Sequence, residues 1–225
     1  AAYRLITFDI YAALFDIAGS LTPVLARAIG RSTDDAAPLF ALWRAKQMER
    51  AAASNSLGKG HISFRDATRL GLDYVLARHG PDLSPAARHD LVTAWDSMKP
   101  WPEAASVVAA IKARGYAIAA LSNGDTDMLE SLVAIFETPF DHVLSCQQAG
   151  FYKPHPAVYD LPTAVLGIPR DQVLHVAGGA MDVVGAVAAG VPCYWSNRHG
   201  DRVIDPAYPA DFEDASLQGL LGILA

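Results

Sequence analysis

Residues 4–16 read RLITFDIYAALFD. A short run suited to burial, Leu5 to Phe8, stops at a carboxylate, Asp9, and a second carboxylate, Asp16, closes the stretch. An uninterrupted apolar run of this length is the pattern of a strand covered on both faces, as in a parallel sheet. An acid closing such a strand is a turn residue, a metal ligand or a nucleophile. Its neighbours elsewhere in the chain have to decide.

Four further runs share the pattern: AIAALSN (117–123), HVLSC (142–146), QVLHVAG (172–178) and PCYWSN (192–197). Helix-like segments separate them, among them PEAASVVAAIKARG (102–115) and DVVGAVAAG (182–190), each ending at a glycine suited to a helix C-cap. Strand and helix in alternation predict an α/β fold, a doubly wound parallel sheet. One interval departs from this. Residues 17–97 are helical in pattern throughout, with segments at 34–53, 63–80 and 84–98, the last opening on Ser84 as N-cap. The expected organisation is therefore a core of residues 1–16 and 98–225 with a helical domain, 17–97, inserted after the first strand. Pro100 and Pro102 mark the return to the core.

The bulk composition supports a packed core and narrows the partners. Of 225 residues, 52% are hydrophobic and 19% charged, too apolar for disorder. A formal net charge of −6 with no basic cluster argues against nucleic acid as partner. No apolar run is long enough to span a bilayer and no signal-peptide pattern is seen, so a cytoplasmic location away from membranes is expected. The two cysteines, Cys146 and Cys193, have neither zinc-site nor disulfide-framework spacing and read as small buried hydrophobes. The seven histidines form no HxH or HExxH pattern, and His175 reads as a satisfied core histidine. The glycines of GGAMDVVG have the wrong spacing for a dinucleotide loop.

Ligands of open parallel sheets bind outside the carboxyl ends of the strands. Asp9 ends the first run, Ser122 and Asn123 the second, Lys153 follows the third, and Asp182 follows the fourth. An acid, a hydroxyl, a lysine and a second acid thus gather from separate segments.

In that order these residues resemble the four motifs of the haloacid dehalogenase-like (HAD) hydrolase superfamily, over nearly the whole chain. The L-2-haloacid dehalogenase type is the best match. FDIYAALFD is similar to its FD-x-YGTLFD opening, LSNG (121–124) and YKP (152–154) match directly, and ALWRAKQMER (41–50) resembles its cap segment. The resemblance implies a Rossmann-like HAD core with a helical cap, a homodimer, and hydrolysis of a small carboxylic acid, most simply a 2-haloacid, with no cofactor or metal. It assigns Asp9 as nucleophile, forming an ester that water then cleaves. Lys153 would keep Asp9 charged and pair with Asp182. Arg44 would receive the departing halide or the substrate carboxylate, and Ser122 with Asn123 would bind that carboxylate. Tyr11, Met48, Phe64 and Met181 would wall the cavity, and Tyr159 would support the lysine.

Phosphatases of this superfamily carry a second acid two residues after the nucleophile, where this chain has Tyr11. Their fourth motif has a further acid for magnesium, where AGGAMD offers only Asp182. The expected chemistry is therefore at carbon. Two departures touch the site itself: Ala12-Ala13 replace Gly-Thr, and AGGAMD (177–182) replaces SSNAWD. With those hydroxyls and the asparagine absent, Lys153 and Asp182 are the nearby candidates to activate water. Alternative readings are a phosphatase, a strained-ring C–N hydrolase, or a non-catalytic carboxylate binder.

Overall fold

A computed structural model describes residues 3–224. The chain divides into two compact units, one joining the residues through Phe15 with those from Pro100 on, the other Asp16–Lys99. The sequence places these borders at 17 and 97. At the junction Phe15 pairs with Pro100 in an antiparallel bridge. Beside it, the Trp101 amide donates to Leu14 O at 2.9 Å.

The first unit is built on Leu5–Phe8 (β1), Ala117–Ser122 (β2), His142–Ser145 (β3), Val173–Ala177 (β4), Cys193–Ser196 (β5) and Phe212–Asp214 (β6). They form one parallel sheet in the order β3-β2-β1-β4-β5-β6. Every residue of β1 and β4 is buried, which is what their apolar runs require. The helices Ala104–Ala113, Thr126–Val133 and Ala180–Ala188 pack on it. The first five strands each end one residue before the sequence patterns do. Asp9, Asn123, Cys146, Gly178 and Asn197 therefore leave the ladder and lie at its carboxyl edge. β6 has no counterpart in the sequence reading: it is three residues long with two exposed, and carries no apolar run. β1 pairs with β2 on one side and β4 on the other. The direction of winding reverses between β1 and β4, and a crevice opens at such a reversal.

The second unit is helical. Thr33–Leu57 and Phe64–His79 are its long members, and Pro85–Thr93 follows. Ser32, Ser63 and Ser84 cap them, each accepting from the third helical amide. The sequence pattern carried the last helix to 98, but it ends at Thr93 and a 3₁₀ turn, Ala94–Asp96, follows. The core of this unit is aromatic: Trp95 stacks on Phe40 with centroids 5.9 Å apart and meets Trp43 edge-on at 5.6 Å. A Cβ at Gly71 would come within 2.9 Å of Gln47 N, so a glycine is what lets the two long helices approach. Among the described residues no helix is long and apolar enough to cross a membrane.

Candidate active site

Asp9 leaves β1 with its amide still bonded to Val176 O at 2.9 Å, which fixes it beside the end of β4. Four donors hold its carboxylate. The amides of Ala12 and Ala13 donate to Oδ2 at 3.0 and 3.3 Å. The Ser122 hydroxyl donates to Oδ1 at 3.0 Å and the Lys153 ammonium reaches the same oxygen at 3.3 Å. The hydroxyl of the missing threonine is thus not what anchors Asp9; main-chain amides do it, and alanine keeps them.

Lys153 is buried and donates to Asp182 Oδ2 at 2.9 Å as well. Asp182 is in the first turn of Ala180–Ala188. Its Oδ1 accepts from the Tyr159 hydroxyl at 2.7 Å, and its Oδ2 also meets His175 Nε2 at 2.9 Å. The other ring nitrogen of His175, Nδ1, lies 2.9 Å from Thr7 Oγ1. Burial pulls the Lys153 pKa down, yet Asp182 and then Asp9 outweigh it and the net shift is upward. Burial pushes the Asp182 carboxyl up, but the His175 ring and the Lys153 ammonium hold it well below the ordinary carboxylate range. Burial, helped by Asp182, raises the Tyr159 phenol, so it stays a donor.

Asp9, Ser122, Lys153 and Asp182 therefore converge. Asn123 Oδ1 accepts from the Lys153 amide and the Cys146 thiol, both at 3.1 Å, and so ties down the lysine's loop. The Ser122 hydroxyl is buried and directed at Asp9. Tyr11 is buried with its hydroxyl 4.0 Å from Met128 Sδ. Met181 is 50% exposed. Arg44, Met48 and Phe64 belong to the helical unit. There Arg44 Nη1 donates to Gln47 Oε1 at 2.6 Å and the guanidinium lies 5.6 Å from the Trp95 ring centroid. Phe64 is fully buried and Met48 partly so.

The altered fourth motif has a steric logic. A Cβ on Gly178 would lie 2.3 Å from Ala13 N and 2.4 Å from the Ala12 carbonyl carbon, so this loop sits directly on the turn that binds Asp9. Gly179 has the opposite setting. Nothing lies within 4 Å of its added Cβ, and it borders a cleft of about 480 Å³ that Arg198, His199 and Asp201 also line. Among the described residues, no three His, Cys, Asp or Glu side chains form a group able to hold a metal ion. In sequence Thr7 belongs to no motif and His175 reads as a core histidine. The available signal was a histidine inside an otherwise apolar strand.

A family model of haloacid dehalogenase-like hydrolases matches residues 5–190. The chain belongs to this family. Haloacetate dehalogenase H-2 of Moraxella sp. (strain B) is 31% identical over 222 residues, covering 98% of this chain and 97% of the relative. The (S)-2-haloacid dehalogenase of Pseudomonas sp. (strain YL) is 33% identical over 223 residues, covering 96% and 92%. Among solved structures, the L-2-haloacid dehalogenase of Xanthobacter autotrophicus with chloropropionic acid covalently bound superposes with a TM-score of 0.87. That match has 26% identity and covers 99% of this chain and 98% of that one. This HAD-like hydrolase thus shares its α/β architecture with haloacid dehalogenases across its length.

Proposed function

We propose that this hydrolase displaces a halide from C2 of a small carboxylic acid through an ester at Asp9. The observation that carries the reading is the Asp9–Lys153–Asp182 set, with buried Tyr11 where a phosphatase has its second acid. The two dehalogenase relatives over nearly the full chain support it. In the first step an Asp9 oxygen bonds to C2 as the carbon–halogen bond breaks, and the halide leaves with the electron pair. In the second, water adds to the Asp9 carboxyl carbon and the bond from that carbon to the substrate oxygen breaks. A 2-hydroxy acid and a proton are released, and the carboxylate returns.

Lys153 and Asp182 were the sequence candidates to activate that water, and their electrostatics argue against both. A general base works best with a pKa near the operating pH. Lys153 is held protonated and Asp182 is held well below the carboxylate range. The pair is a charge anchor that holds the Asp9 carboxylate in place through the Lys153 ammonium. Arg44 keeps the role given by the resemblance, receiving the halide or the substrate carboxylate, and a homodimer is expected on the same ground.

The test is a single turnover of (S)-2-chloropropionate in ¹⁸O-water, with label expected first in Asp9 and chloride released once per turnover. Full activity of Asp9→Ala, or turnover abolished by EDTA and restored by Mg²⁺, overturns the reading. A phosphate-release assay on small phosphorylated acids separates the phosphatase alternative.

A further inference from the structure

The network around Asp182 has an unusual source. The fourth motif supplies no hydroxyl or amide side chain of its own, since positions 177–179 are Ala, Gly and Gly. One of Asp182's bonds comes instead from within the sheet, from His175 on β4. His175 is fully buried, with the Tyr159 ring edge-on at 5.7 Å and Cys193 beside it in register. It therefore does not meet solvent. Its register partner on β1 is Thr7, whose Oγ1 contacts the far side of the ring. Thr7 is two residues before Asp9 on the same strand.

We propose that Thr7 and His175 are positioning residues that aim Asp182, and through it the ammonium of Lys153, at Asp9. A carboxylate only accepts hydrogen bonds, so Nε2 carries the proton directed at Asp182 Oδ2. With Nδ1 then free to accept, the Thr7 hydroxyl donates to it and fixes the ring's tautomer and tilt, as a supporting hydrogen bond does for a functional histidine. The path Thr7–His175–Asp182–Lys153–Asp9 returns to the strand on which it began. β1 therefore positions Asp9 twice, through its backbone and through this relay. The catalytic groups remain Asp9 and Lys153; Thr7 and His175 act only through Asp182.

Thr7→Val keeps the shape and removes the hydroxyl, and Thr7→Ser returns it. The kinetic arm rests on the dehalogenase reading: Thr7→Val is expected to lower kcat on (S)-2-chloropropionate by about tenfold, the effect of one lost hydrogen bond in a charged network, with KM nearly unchanged. Thr7→Ser should recover most of the loss. The second arm does not depend on turnover. Histidine-ring ¹⁵N spectra, with the His175 signal identified by its absence in His175→Gln, should show a protonated Nε2 and an unprotonated Nδ1 in the wild-type protein. That pattern should be lost or averaged in Thr7→Val. No turnover by the wild type together with this ring pattern rejects the dehalogenase reading and supports the relay. An unprotonated wild-type Nε2, or an unaltered ring pattern in Thr7→Val, overturns the relay whatever the activity.

Discussion

Gly178→Ala adds one methyl group where the structure has no room. Its Cβ would fall 2.3 Å from Ala13 N, 2.4 Å from the Ala12 carbonyl carbon and 2.7 Å from Ala12 Cβ. Nonbonded heavy atoms sit best about 3.5–4.0 Å apart, so one of the two backbones has to move by more than an ångström. Overpacking of this kind costs about 1–3 kcal/mol, and contact with backbone in place of a flexible side chain puts this case at the upper end. At about 2–4 °C per kcal/mol for a chain of this length, Tm should fall by about 6–12 °C. The atoms displaced are the amides that hold Asp9 Oδ2 at 3.0 and 3.3 Å. Losing one bond to a carboxylate is worth about 1.5–3 kcal/mol, so kcat should fall about 10-fold to 100-fold. Gly179→Asn is the control. Its backbone is extended (φ −119°, ψ 150°), it caps Ala180–Ala188 without a side-chain bond, and its added Cβ meets nothing. Asparagine is a good N-cap, and the substitution should hold or raise Tm. Thermal unfolding and halide release on the two variants provide the assay. A Gly178→Ala protein with wild-type Tm and kcat would refute the close approach as the reason for this glycine.

Three other perturbations follow from the same cluster. Lys153→Met leaves Asp9 and Asp182 buried without their shared cation, and urea unfolding should show a loss of about 3–5 kcal/mol alongside lost turnover. The Asp182 carboxyl is depressed in the folded chain. Its stabilisation is accordingly complete above its unfolded pKa near 4 and lost as pH falls below about 4; in acid titration Asp182→Asn should flatten that part of the stability curve while starting from a lower plateau. Burial pushes the Cys146 thiol up to about 12, and Cys193 is raised for the same reason; the native protein should therefore leave a thiol reagent unreacted until it unfolds.

The parts of this fold legible in the sequence are those where one local pattern has one physical cause. β1 shows as an apolar run because both its faces are covered, and Asp9 stands out because it interrupts burial. Ser84 announces its helix because a cap acts on amides three residues away. What could not be read depends on distant pairs. Thr7 and His175 lie 168 residues apart, and only the β1–β4 register makes them partners. The change from Ser-Asn to Gly178-Gly179 is plain in sequence and suggests loss alone. That Gly178 sits against the Ala12–Ala13 turn, while Gly179 faces open space, needs coordinates. Asn123 is similar: its place at the end of a strand is legible, but that its carbonyl holds the Lys153 amide, 30 residues on, is not.

The two oxygens of Asp9 are held by different kinds of donor, and this difference assigns them different parts in the proposed reaction. Oδ2 is fixed by two main-chain amides in a tight turn, which cannot swing aside. Oδ1 is held by side chains instead: the Ser122 hydroxyl, which can turn about one bond as Oδ1 bonds to carbon, and the Lys153 ammonium, which keeps its second bond to Asp182. Attack is thus expected from Oδ1, and Oδ2 then becomes the ester carbonyl with two amides already aimed at the charge it gains when water adds. Preorganised donors of that sort act chiefly on the second step. Ser122→Ala should consequently slow the first step, through poorer aim of Oδ1, and leave ester hydrolysis close to wild type. In rapid-quench experiments the variant should show a slower halide burst and no build-up of modified Asp9 by mass spectrometry. Accumulation of the ester in Ser122→Ala would reverse the assignment, placing the carbonyl at Oδ1 and making Ser122 a donor to the oxyanion.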